Sequence, residues 1–426
     1  MQRSIPTLTR HASLLALLLL PYAAAHATNG YFSSGYGVKA QGLSGAGIAL
    51  PQDALAAATN PAGTADVGER ADLGLTVFVP RRSADIVGNA FGADQSYSGD
   101  NTSTFYIPDF AFTRRINAQT SWGLAAYGNG GFNTDYASNP IARFGATGSA
   151  GISLEQLIIT PLLAYKVNDT HTLGVALNIA YQQFAAKGLQ PFDGPASSAP
   201  GSVTNKGVDS STGTGVRLGW SGKLTPSLTL GATWASKISG KFDKYKGLFA
   251  DGGTFDIPEN YGVGLAFAVN PQWTLAADVQ TIRYSQVTSV GDSVASLFNG
   301  SKQLGSANGP GFGWRDQTVF KLGVNHQYNK DLVLRAGVST GDQPVPSSET
   351  FFNILAPGVV QNHLSLGATW TSASGGEWSG FYSRAFGQSV TGSNSIPPGF
   401  PPGYGGGNAN LHLQEDLIGI SYGWKF

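Results

Sequence analysis

Segments in which large apolar residues alternate with small or polar residues recur along most of this chain, and they limit its fold more than any other feature. Residues 173–181 have Leu, Val, Leu, Ile and Tyr at every second position, with Gly, Ala and Asn between them. The same alternation covers residues 228–234, 261–267 and 364–370. A period of two residues predicts β-strands with one apolar face and one small or polar face.

Fourteen such segments follow one another from residue 70 to the end of the chain. The predicted strands span residues 70–80, 104–115, 121–131, 154–167, 171–185, 213–224, 227–238, 259–270, 273–285, 316–328, 331–340, 362–372, 377–388 and 412–426. Short turns, such as residues 270–273, alternate with long loops, such as residues 286–315. This asymmetry and the even strand number are typical of a bacterial outer-membrane β-barrel. In a water-soluble sandwich, the apolar faces would pack against a second sheet instead of lipid.

The composition supports a barrel and excludes other classes. Charged residues make up 12% of the chain, about half the share usual for soluble domains. No apolar run reaches the roughly 18 to 20 residues that a membrane-spanning helix needs. The 26 basic and 26 acidic residues give no net charge, which argues against nucleic-acid binding. The chain has no cysteine, so disulfides and cysteine-based metal sites are excluded.

The N-terminus has the features of a secretory signal peptide. Arg3 and Arg10 supply positive charge, residues 13–20 form a short apolar run, and residues 25–27 read Ala-His-Ala, a typical cleavage site. We therefore assign residues 1–27 to a signal peptide and expect the mature chain to begin at Thr28.

The segment that follows is rich in Gly, Ala and Ser and poor in charge from residue 28 to residue 63. Such a segment cannot bury a core of its own. We predict that residues 28–69 form a hatch, a plug inside the lumen of a barrel built from residues 70–426. A disordered N-terminal tail is the alternative. The predicted fold is an all-β, fourteen-stranded antiparallel transmembrane β-barrel with this N-terminal hatch.

Several motifs in this order resemble the FadL family of outer-membrane transporters, over nearly all of the mature chain. The motifs are the hatch with its Asn60-Pro61-Ala62 triplet, and residues 128–136, 154–157, 174–181, 255–262 and 352–358. Members of that family take up long-chain fatty acids or, in the toluene and xylene channels, aromatic hydrocarbons. The resemblance implies a fourteen-stranded barrel with an N-terminal hatch.

The third predicted strand ends in Gly128-Asn129-Gly130-Gly131, and three glycines in four residues predict a bulge or kink. An ordinary exit from strand to loop is the alternative. In the family that this chain resembles, the third strand kinks inward and opens a gap in the wall beside the hatch. The resemblance therefore implies a lateral exit at these four residues, with release triggered by a shift of the hatch around Asn60, Pro61 and Ala62.

Basic residues are the candidates for binding a carboxylate head group. Strand parity places Arg217, Asp278, Lys321 and Arg335 in the lumen, because charges facing lipid cost about 2 to 4 kcal/mol near the midplane. Arg315 is six positions before Lys321, so the same alternation would place it on the same face of the strand. The resemblance implies that Arg315, and less directly Lys187, faces the ligand head group. For each cation the alternative is an ion pair with the hatch or with another strand.

Two loops offer apolar side chains next to basic residues, Phe144 in one loop and Leu248 with Phe249 in another. Exposed apolar patches usually mark binding surfaces, so we expect these residues to contact ligand; packing of one loop on another is the alternative. The G-x-S-x-G match at residues 419–423 lacks the strand-to-helix turn and downstream acid and histidine of a hydrolase. The scattered histidines predict no metal site, and we expect no cofactor and no enzymatic activity.

We therefore predict a passive uptake channel in the outer membrane of a Gram-negative bacterium, most consistent with long-chain fatty acids as cargo. Aromatic hydrocarbons are the alternative cargo. A general diffusion porin and an outer-membrane lipase are alternative functions. The expected partners are a hydrophobic small molecule, outer-membrane lipid and the barrel assembly machinery, which would read the aromatic C-terminal strand; no nucleic acid is expected, and the protein is expected to be monomeric.

Overall fold

The computed structural model describes residues 29–399 and 403–426. The predicted signal peptide, residues 1–27, lies outside the described residues, as does Thr28 at the start of the predicted hatch.

The described chain is built almost entirely from β-strands. They are β1 (Arg70–Val87), β2 (Gln95–Ser98), β3 (Phe105–Arg115), β4 (Thr120–Tyr136), β5 (Ala150–Lys166), β6 (His171–Lys187), β7 (Asp209–Lys223), β8 (Leu228–Ala235), β9 (Asn260–Ala268), β10 (Trp273–Ile282), β11 (Gln317–Gln327), β12 (Leu332–Gly341), β13 (Asn362–Thr371), β14 (Glu377–Val390) and β15 (Asn408–Lys425).

All of these strands belong to one antiparallel sheet that closes on itself. From β3 to β15 each strand pairs with the next in sequence, β3 also pairs with β1, and β15 returns to pair with β1, with Arg70 opposite Lys425 and Val87 opposite Asn408. Fourteen strands form the closed wall, which confirms the predicted barrel. The short strand β2 is an addition that pairs only with residues 83–86 of β1.

The main difference from the predicted bounds is the length of β1, which runs to Val87 instead of residue 80. Beyond Pro80 the outward positions are Arg81, Ser83 and Asp85, so the apolar alternation stops although the strand continues. Pairing with β15 on one side and β2 on the other holds this polar extension, and neither partner is visible in the local sequence.

Short helical turns occur in the N-terminal segment and in the loops. Four-residue α-helices are Val38–Gln41, Ala56–Thr59, Ala250–Gly253, Thr288–Gly291, Ala295–Phe298 and Thr350–Asn353, and 3-10 turns are Pro61–Ala65, Ala142–Phe144, Gln190–Phe192, Asp243–Tyr245, Tyr284–Gln286 and Ser347–Glu349. Within the described residues, no helix has the length and apolar character needed to span a membrane.

The two faces of the wall differ as the alternation predicts. In β6, Leu173, Val175 and Leu177 are exposed on the outside, whereas Ala176 and Asn178 are buried on the inside. Exposed large apolar residues recur on the outer face of nearly every strand. A surface of this kind is stable against lipid hydrocarbon and unfavourable in water.

The N-terminal residues 29–69 pack against the inner face of the wall, and the wall has glycine where they approach most closely. A Cβ placed on Gly174 would lie 2.2 Å from the backbone nitrogen of Ala62, and one on Gly337 would lie 2.2 Å from the carbonyl carbon of Leu43. Inward-facing glycines are therefore required because the backbone of this segment occupies the space that a side chain would need. We use the name hatch for residues 29–69.

Candidate functional site

The sequence Gly128-Asn129-Gly130-Gly131 interrupts β4 as predicted. Gly128 pairs with Leu157 of β5 and Gly130 pairs with Gln156, so Asn129 is an extra residue, which is the definition of a β-bulge. The Asn129 side chain donates a hydrogen bond to Gln156 Oε1 at 2.9 Å and accepts one from the Tyr36 hydroxyl at 2.9 Å. The bulge is thereby tied to both the wall and the hatch.

The pairing of β3 with β4 ends below this bulge. Within the described residues the ladder runs from Arg115–Ser121 to Phe110–Ala126 and goes no further. Residues 105–109 of β3 continue to pair with β1, and residues 127–136 of β4 continue to pair with β5. The two strands have therefore separated, and we call the space between these two edges the lateral window.

The far side of the lateral window is closed by the segment between β2 and β3. Asp100 forms a bridge with Asp135 of β4, and the backbone nitrogen of Asp135 donates to Gly99 O at 2.9 Å. The buried guanidinium of Arg82 contacts Asp100, at 3.1 Å, and the carbonyl oxygen of Asn133, at 2.6 Å. The lateral window is thus a bounded opening with a fixed frame.

The first hatch residues fill the lateral window from inside. Phe32 forms an antiparallel bridge with Gly130, Ser33 N donates to Asn129 O at 3.0 Å, and Gly131 N donates to Tyr31 O at 2.8 Å. A Cβ on Gly130 would lie 1.8 Å from Tyr31 O. We call residues 29–33 the hatch tip and residues 34–69 the hatch body. The tip occupies the position beside β4 that β3 has left.

The side chain of Tyr31 is fully buried in a cluster of aromatic rings. Its ring centroid lies 5.7 Å from that of Phe132, 5.0 Å from that of Tyr284 and 5.8 Å from that of Trp314. The Tyr284 hydroxyl accepts a hydrogen bond from Tyr31 N at 3.1 Å and donates one to the carbonyl oxygen of Asn29. Burial raises the pKa of Tyr31 well above its usual value, so the phenol stays neutral.

Two apolar spaces lie between the loops and this cluster. The outer groove, of about 960 Å³, is open to solvent and is lined by aromatic residues that include Phe144, Phe298 and Tyr404, and by polar residues that include Lys302. The inner cavity is small, about 20 Å³, and enclosed. Its lining is entirely apolar and consists of Ile141, Ile152, Phe184, Leu189, Phe192, Leu248, Phe312, Phe351, Phe352 and Leu355.

Two sets of aromatic contacts, one on each side of the inner cavity, lie between the outer groove and the hatch tip. Phe144 of the groove contacts Phe351 of the inner cavity with a centroid separation of 5.4 Å. On the other side of the cavity, Phe312 contacts Phe132 at 6.1 Å, and Phe132 contacts Tyr31. An apolar route therefore runs from the loops through the inner cavity to the lateral window.

The predicted apolar ligand contacts occupy different positions along this route. Phe144 lines the outer groove and Leu248 lines the inner cavity. Phe249 lies behind the cavity wall, with its ring 4.6 Å from that of Phe184 and 4.9 Å from that of Phe255. Phe249 is thus buried between strand β6 and its own loop, and its role in ligand binding stays a prediction.

The predicted cationic contacts lie elsewhere, and none of the three lines the groove or the cavity. Lys187 forms an ion pair with Asp135 at 2.7 Å. Lys321 donates to Ser34 O of the hatch at 2.7 Å and to Gln280 at 3.1 Å. Arg315 is exposed and precedes β11, so strand parity does not extend to it. Their roles in ligand binding stay predictions.

Other luminal charges hold the hatch body. The Asp278 carboxylate accepts hydrogen bonds from Gly47 N at 2.7 Å and Ile48 N at 3.0 Å. Arg217 donates to the carbonyl oxygen of Thr59 at 3.3 Å, and Arg335 donates to Gln52 at 3.0 Å. The residues that parity predicts to face the lumen therefore do so.

The Asn60-Pro61-Ala62 triplet is bonded both to the rest of the hatch body and to the wall. The Asn60 side chain donates to Ile48 O at 2.8 Å and to Trp220 O of the wall at 2.9 Å, and it accepts from Ala62 N at 3.1 Å. Asn60 thus caps the 3-10 turn Pro61–Ala65 and fixes it to β7.

An ion-pair network anchors the hatch body near the turns of the barrel. Glu377 of β14 pairs with Lys39 of the hatch at 2.5 Å, with Arg70 of β1 at 2.8 Å and with Lys425 of β15 at 2.9 Å. The network therefore joins the hatch to the seam where the first and last strands meet. Nearby in the hatch, burial and then the charge of Asp72 raise the pKa of Asp53 to about 6.

Sequence reasoning missed the residues that connect the cavity to the lateral window, namely Tyr31, Phe132, Phe312 and Trp314. One signal was available, since the only aromatic residues of the hatch, Tyr31, Phe32 and Tyr36, lie together at its start. Among the described residues, no group of three or more His, Asp or Glu side chains is arranged to hold a metal ion.

Comparison with known proteins agrees with this architecture. The sequence pattern of the family described as outer membrane protein transport protein (OMPP1/FadL/TodX) matches residues 17–391. The long-chain fatty acid transport protein of Escherichia coli O6:H1 is 25% identical over 410 residues, which cover 85% of this chain and 87% of that protein. The protein of the same description from Escherichia coli K12 is 24% identical over 415 residues, which cover 85% of this chain and 88% of that protein.

Solved structures share the fold. A Pseudomonas aeruginosa FadL homologue superposes with a TM-score of 0.69 at 18% identity, covering 95% of this chain and 100% of that chain. The Pseudomonas putida toluene transporter TodX superposes with a TM-score of 0.65 at 18% identity, covering 92% of this chain and 99% of that chain. Since the family pattern spans most of the sequence, this chain belongs to the OMPP1/FadL/TodX family of outer membrane transport proteins.

Proposed function

We propose that this protein takes up hydrophobic small molecules across the outer membrane by a lateral route. The cargo binds in the outer groove, passes through the inner cavity, displaces the hatch tip and leaves through the lateral window into the membrane. The observation that carries the proposal is the apolar route from Phe144 and Phe351, across the inner cavity, to Phe312, Phe132 and Tyr31, whose backbone closes the lateral window. An apolar molecule on this route never enters a water-filled lumen.

The hatch tip is the moving part in this proposal, and the hatch body is its fixed base. The tip is held by two backbone hydrogen bonds at the bulge, by two hydrogen bonds with the Tyr284 hydroxyl and by aromatic packing. The body is held by Asp278, Arg217, Arg335 and Glu377 and fits against inward-facing glycines. Displacing the tip leaves the ion pairs and charged hydrogen bonds of the body intact. The shift predicted around Asn60, Pro61 and Ala62 would require the more tightly held region to move.

Long-chain fatty acids are the first candidate cargo. They are named in the descriptions of the Escherichia coli relatives. Lys302 in the lining of the outer groove supplies a cation beside an apolar surface, which suits an amphiphile with a carboxylate. Arg315 and Lys187 remain the head-group contacts that the sequence predicts.

Neutral aromatic hydrocarbons are the second candidate, and one observation favours them. The lining of the inner cavity is entirely apolar, so a cargo without a polar head would leave no group unpaired there. Toluene transport is named for structures with the same fold. A general diffusion porin is disfavoured because the hatch body packs closely against the wall.

The remaining parts of the proposal concern energy and partners. Transport is passive, with consumption of the cargo inside the cell drawing it inward, and the protein has no enzymatic activity. The final strand ends in alternating aromatic residues and is the segment that the barrel assembly machinery would recognise. The protein acts as a monomer, since each chain closes its own barrel and contains its own route.

A disulfide between the hatch body and the wall tests which part of the hatch moves. A Cβ on Gly323 would lie 3.4 Å from Cβ of Ala46, close to the roughly 3.5 to 4.5 Å that disulfides adopt. Because the chain has no cysteine of its own, the variant Ala46→Cys/Gly323→Cys forms a single defined bond. Gly323→Ala controls for crowding at the wall.

Uptake of labelled oleate and labelled xylene is then measured in a transporter-deficient strain before oxidation, after oxidation and after reduction. We expect the oxidised variant to take up both substrates at the same rate as the Gly323→Ala control. Loss of uptake on oxidation, with recovery on reduction, would show that the hatch body must move and would reject the proposed tip mechanism.

The same assay separates the two cargo classes. If Arg315 binds a carboxylate, Arg315→Ala lowers oleate uptake and leaves xylene uptake unchanged. If neither substrate is affected, Arg315 has no head-group role. Absence of uptake of both substrates by the natural chain would reject hydrophobic transport itself.

A further inference from the structure

Two consecutive arginines of β1 point to opposite faces of the barrel wall. Arg82 is buried inside, where it frames the lateral window. Arg81 is exposed on the outside, towards the long loops and above the apolar band. Since charges that face lipid are costly except near the interfaces, an outward arginine at this level needs an explanation.

Arg81 has outward-facing polar neighbours on the two adjacent strands of the seam. It lies opposite Gln414 of β15, and Arg384 of β14 lies opposite Asp416. Arg384 forms an ion pair with Asp416 at 2.5 Å and donates to Gln414 Oε1 at 3.1 Å. The Tyr382 hydroxyl donates to the other carboxylate oxygen of Asp416 at 2.6 Å. Asp416 and Gln414 therefore fix the guanidinium of Arg384 on the side that faces Arg81.

Most of the donors on this pair of guanidinium groups are uncommitted. A guanidinium group has five N–H donors. Arg384 uses one nitrogen for Asp416 and one for Gln414, and the side chain of Arg81 has no hydrogen bond to any residue in the described ranges. Two arginines against one aspartate leave a local excess of positive charge. The arrangement suits an anion with several oxygen atoms, such as a phosphate.

The surface below the two arginines is apolar. Ile418 and Ile420 of β15 are 57% and 54% exposed on the outer face, and Val79 of β1, opposite Asp416, is the next outward residue below Arg81. A ligand for this surface needs an anionic head at the level of the arginines and hydrocarbon chains along the wall beneath. In an outer membrane protein, that description fits a phosphorylated lipid of the outer leaflet.

We propose that Arg81 and Arg384 form a binding site for the phosphate of an outer-leaflet lipid, with its acyl chains lying along Val79, Ile418 and Ile420. Asp416 acts as a positioning residue for Arg384. The occupant is the phosphorylated glycolipid of that leaflet, lipid A. The site lies on β1, β14 and β15, so it is separate from the lateral window and does not depend on the proposed cargo route.

The test measures lipid binding to the purified full chain by native mass spectrometry. The two lipids compared are diphosphoryl lipid A and lipid A whose phosphates have been removed. The variant is Arg81→Gln/Arg384→Gln. The matched control is Arg114→Gln, because Arg114 is also an exposed outward arginine but lies at the turn end, over the ring of Phe426 at 3.9 Å. Heat-modifiable gel mobility confirms that each variant forms a barrel.

We expect the double variant to bind diphosphoryl lipid A at least about tenfold more weakly than the natural chain and the Arg114→Gln control, because two charge-assisted contacts are lost. We also expect the natural chain to prefer the phosphorylated lipid. Equal binding by the double variant, or equal binding of the lipid without phosphates, would overturn the proposal. The proposal would also be overturned if inorganic phosphate alone competed for this site as strongly as lipid A does. A dimer in which a second copy covers this surface would overturn it as well.

Discussion

The backbone amide of Gly131 donates a hydrogen bond of 2.8 Å to the carbonyl oxygen of Tyr31, and this contact joins the kink in the barrel wall to the first residues of the hatch. β3 has separated from β4 at this level, so the edge of β4 would otherwise be unpaired. Unpaired backbone groups facing lipid are strongly unfavourable, which explains why the hatch tip is held here. Any cargo that displaces Tyr31 exposes the lateral window.

Substitution of Gly130 should release the hatch tip. In Gly130→Val, the new Cβ would lie 1.8 Å from Tyr31 O, so the tip cannot keep its position beside β4. Asn29→Cys, at a residue that is 2% exposed, gives a single thiol that reports on release. We expect its labelling rate to rise at least about tenfold, since the clash exceeds the roughly 1.4 kcal/mol that this factor represents.

Gly380→Val is the control for this experiment. Gly380 lies on the outer face of β14, where the nearest atom to a new Cβ is 3.7 Å away. Its effect on labelling of Asn29→Cys should be small. Equal labelling in both variants would mean that contacts other than the bulge hold the tip.

Filling the inner cavity should block uptake. Leu189 is buried in its lining, and Leu189→Trp adds volume to a space that holds little more than one water molecule. The indole would occupy the space that the cargo needs, so we expect about a tenfold or greater loss of uptake for oleate and xylene alike, which corresponds to about 1.4 kcal/mol or more. Leu366→Trp is the control, because Leu366 is 55% exposed on the lipid side. Unchanged uptake in Leu189→Trp would place the route elsewhere.

The ion pair between Lys39 and Glu377 should show an asymmetry between its two partners. Glu377→Gln leaves Lys39, which is 4% exposed, without its acidic partner and should weaken hatch seating by about 3 to 5 kcal/mol. Lys39→Met should cost less, because Glu377 keeps Arg70 and Lys425.

Labelling of Ala46→Cys in the hatch body measures the free energy of hatch opening in these variants. The double variant Lys39→Met/Glu377→Gln should recover part of the loss that Glu377→Gln causes. If Lys39→Met proves the more damaging change, the network does not work as a shared anchor around Glu377.

The free energy of hatch opening should depend on pH through the titration of Asp53. Its pKa is about 6 when the hatch is seated, compared with about 4 in water, because burial and the neighbouring Asp72 disfavour the charged form. The seated state therefore binds the proton more tightly. This contribution is fully present below about pH 4 and is lost as the pH rises through 6.

We therefore expect labelling of Ala46→Cys, divided by the labelling rate of the unfolded chain at the same pH, to be slower at pH 5 than at pH 7, with a change in opening free energy of about 1 kcal/mol. The division removes the pH dependence of the thiol itself. Asp53→Asn cannot titrate and should flatten this dependence. A pH profile that persists unchanged in Asp53→Asn would assign the effect to another group.

The sequence by itself determines the wall of this protein. Alternation with a period of two is a local property, and it specifies the fourteen strands, the outward position of residues such as Leu173 and Leu177, and the inward position of Asp278 and Lys321. The bulge at Gly128–Gly131 is also local, because several glycines together cannot hold a regular ladder.

Only the tertiary structure decides what the inward residues touch. Lys321 donates a hydrogen bond to the carbonyl oxygen of Ser34, which is 287 positions away in the sequence. Tyr31 fills the space beside β4 and bonds to Gly131, which is also distant in the sequence. Arg315 follows the parity of Lys321 in the sequence but precedes the strand, so the pattern could not place it. Strand periodicity fixes the face of the wall on which a side chain lies, whereas its partner depends on how the chain closes in three dimensions and on which hatch atoms then meet it.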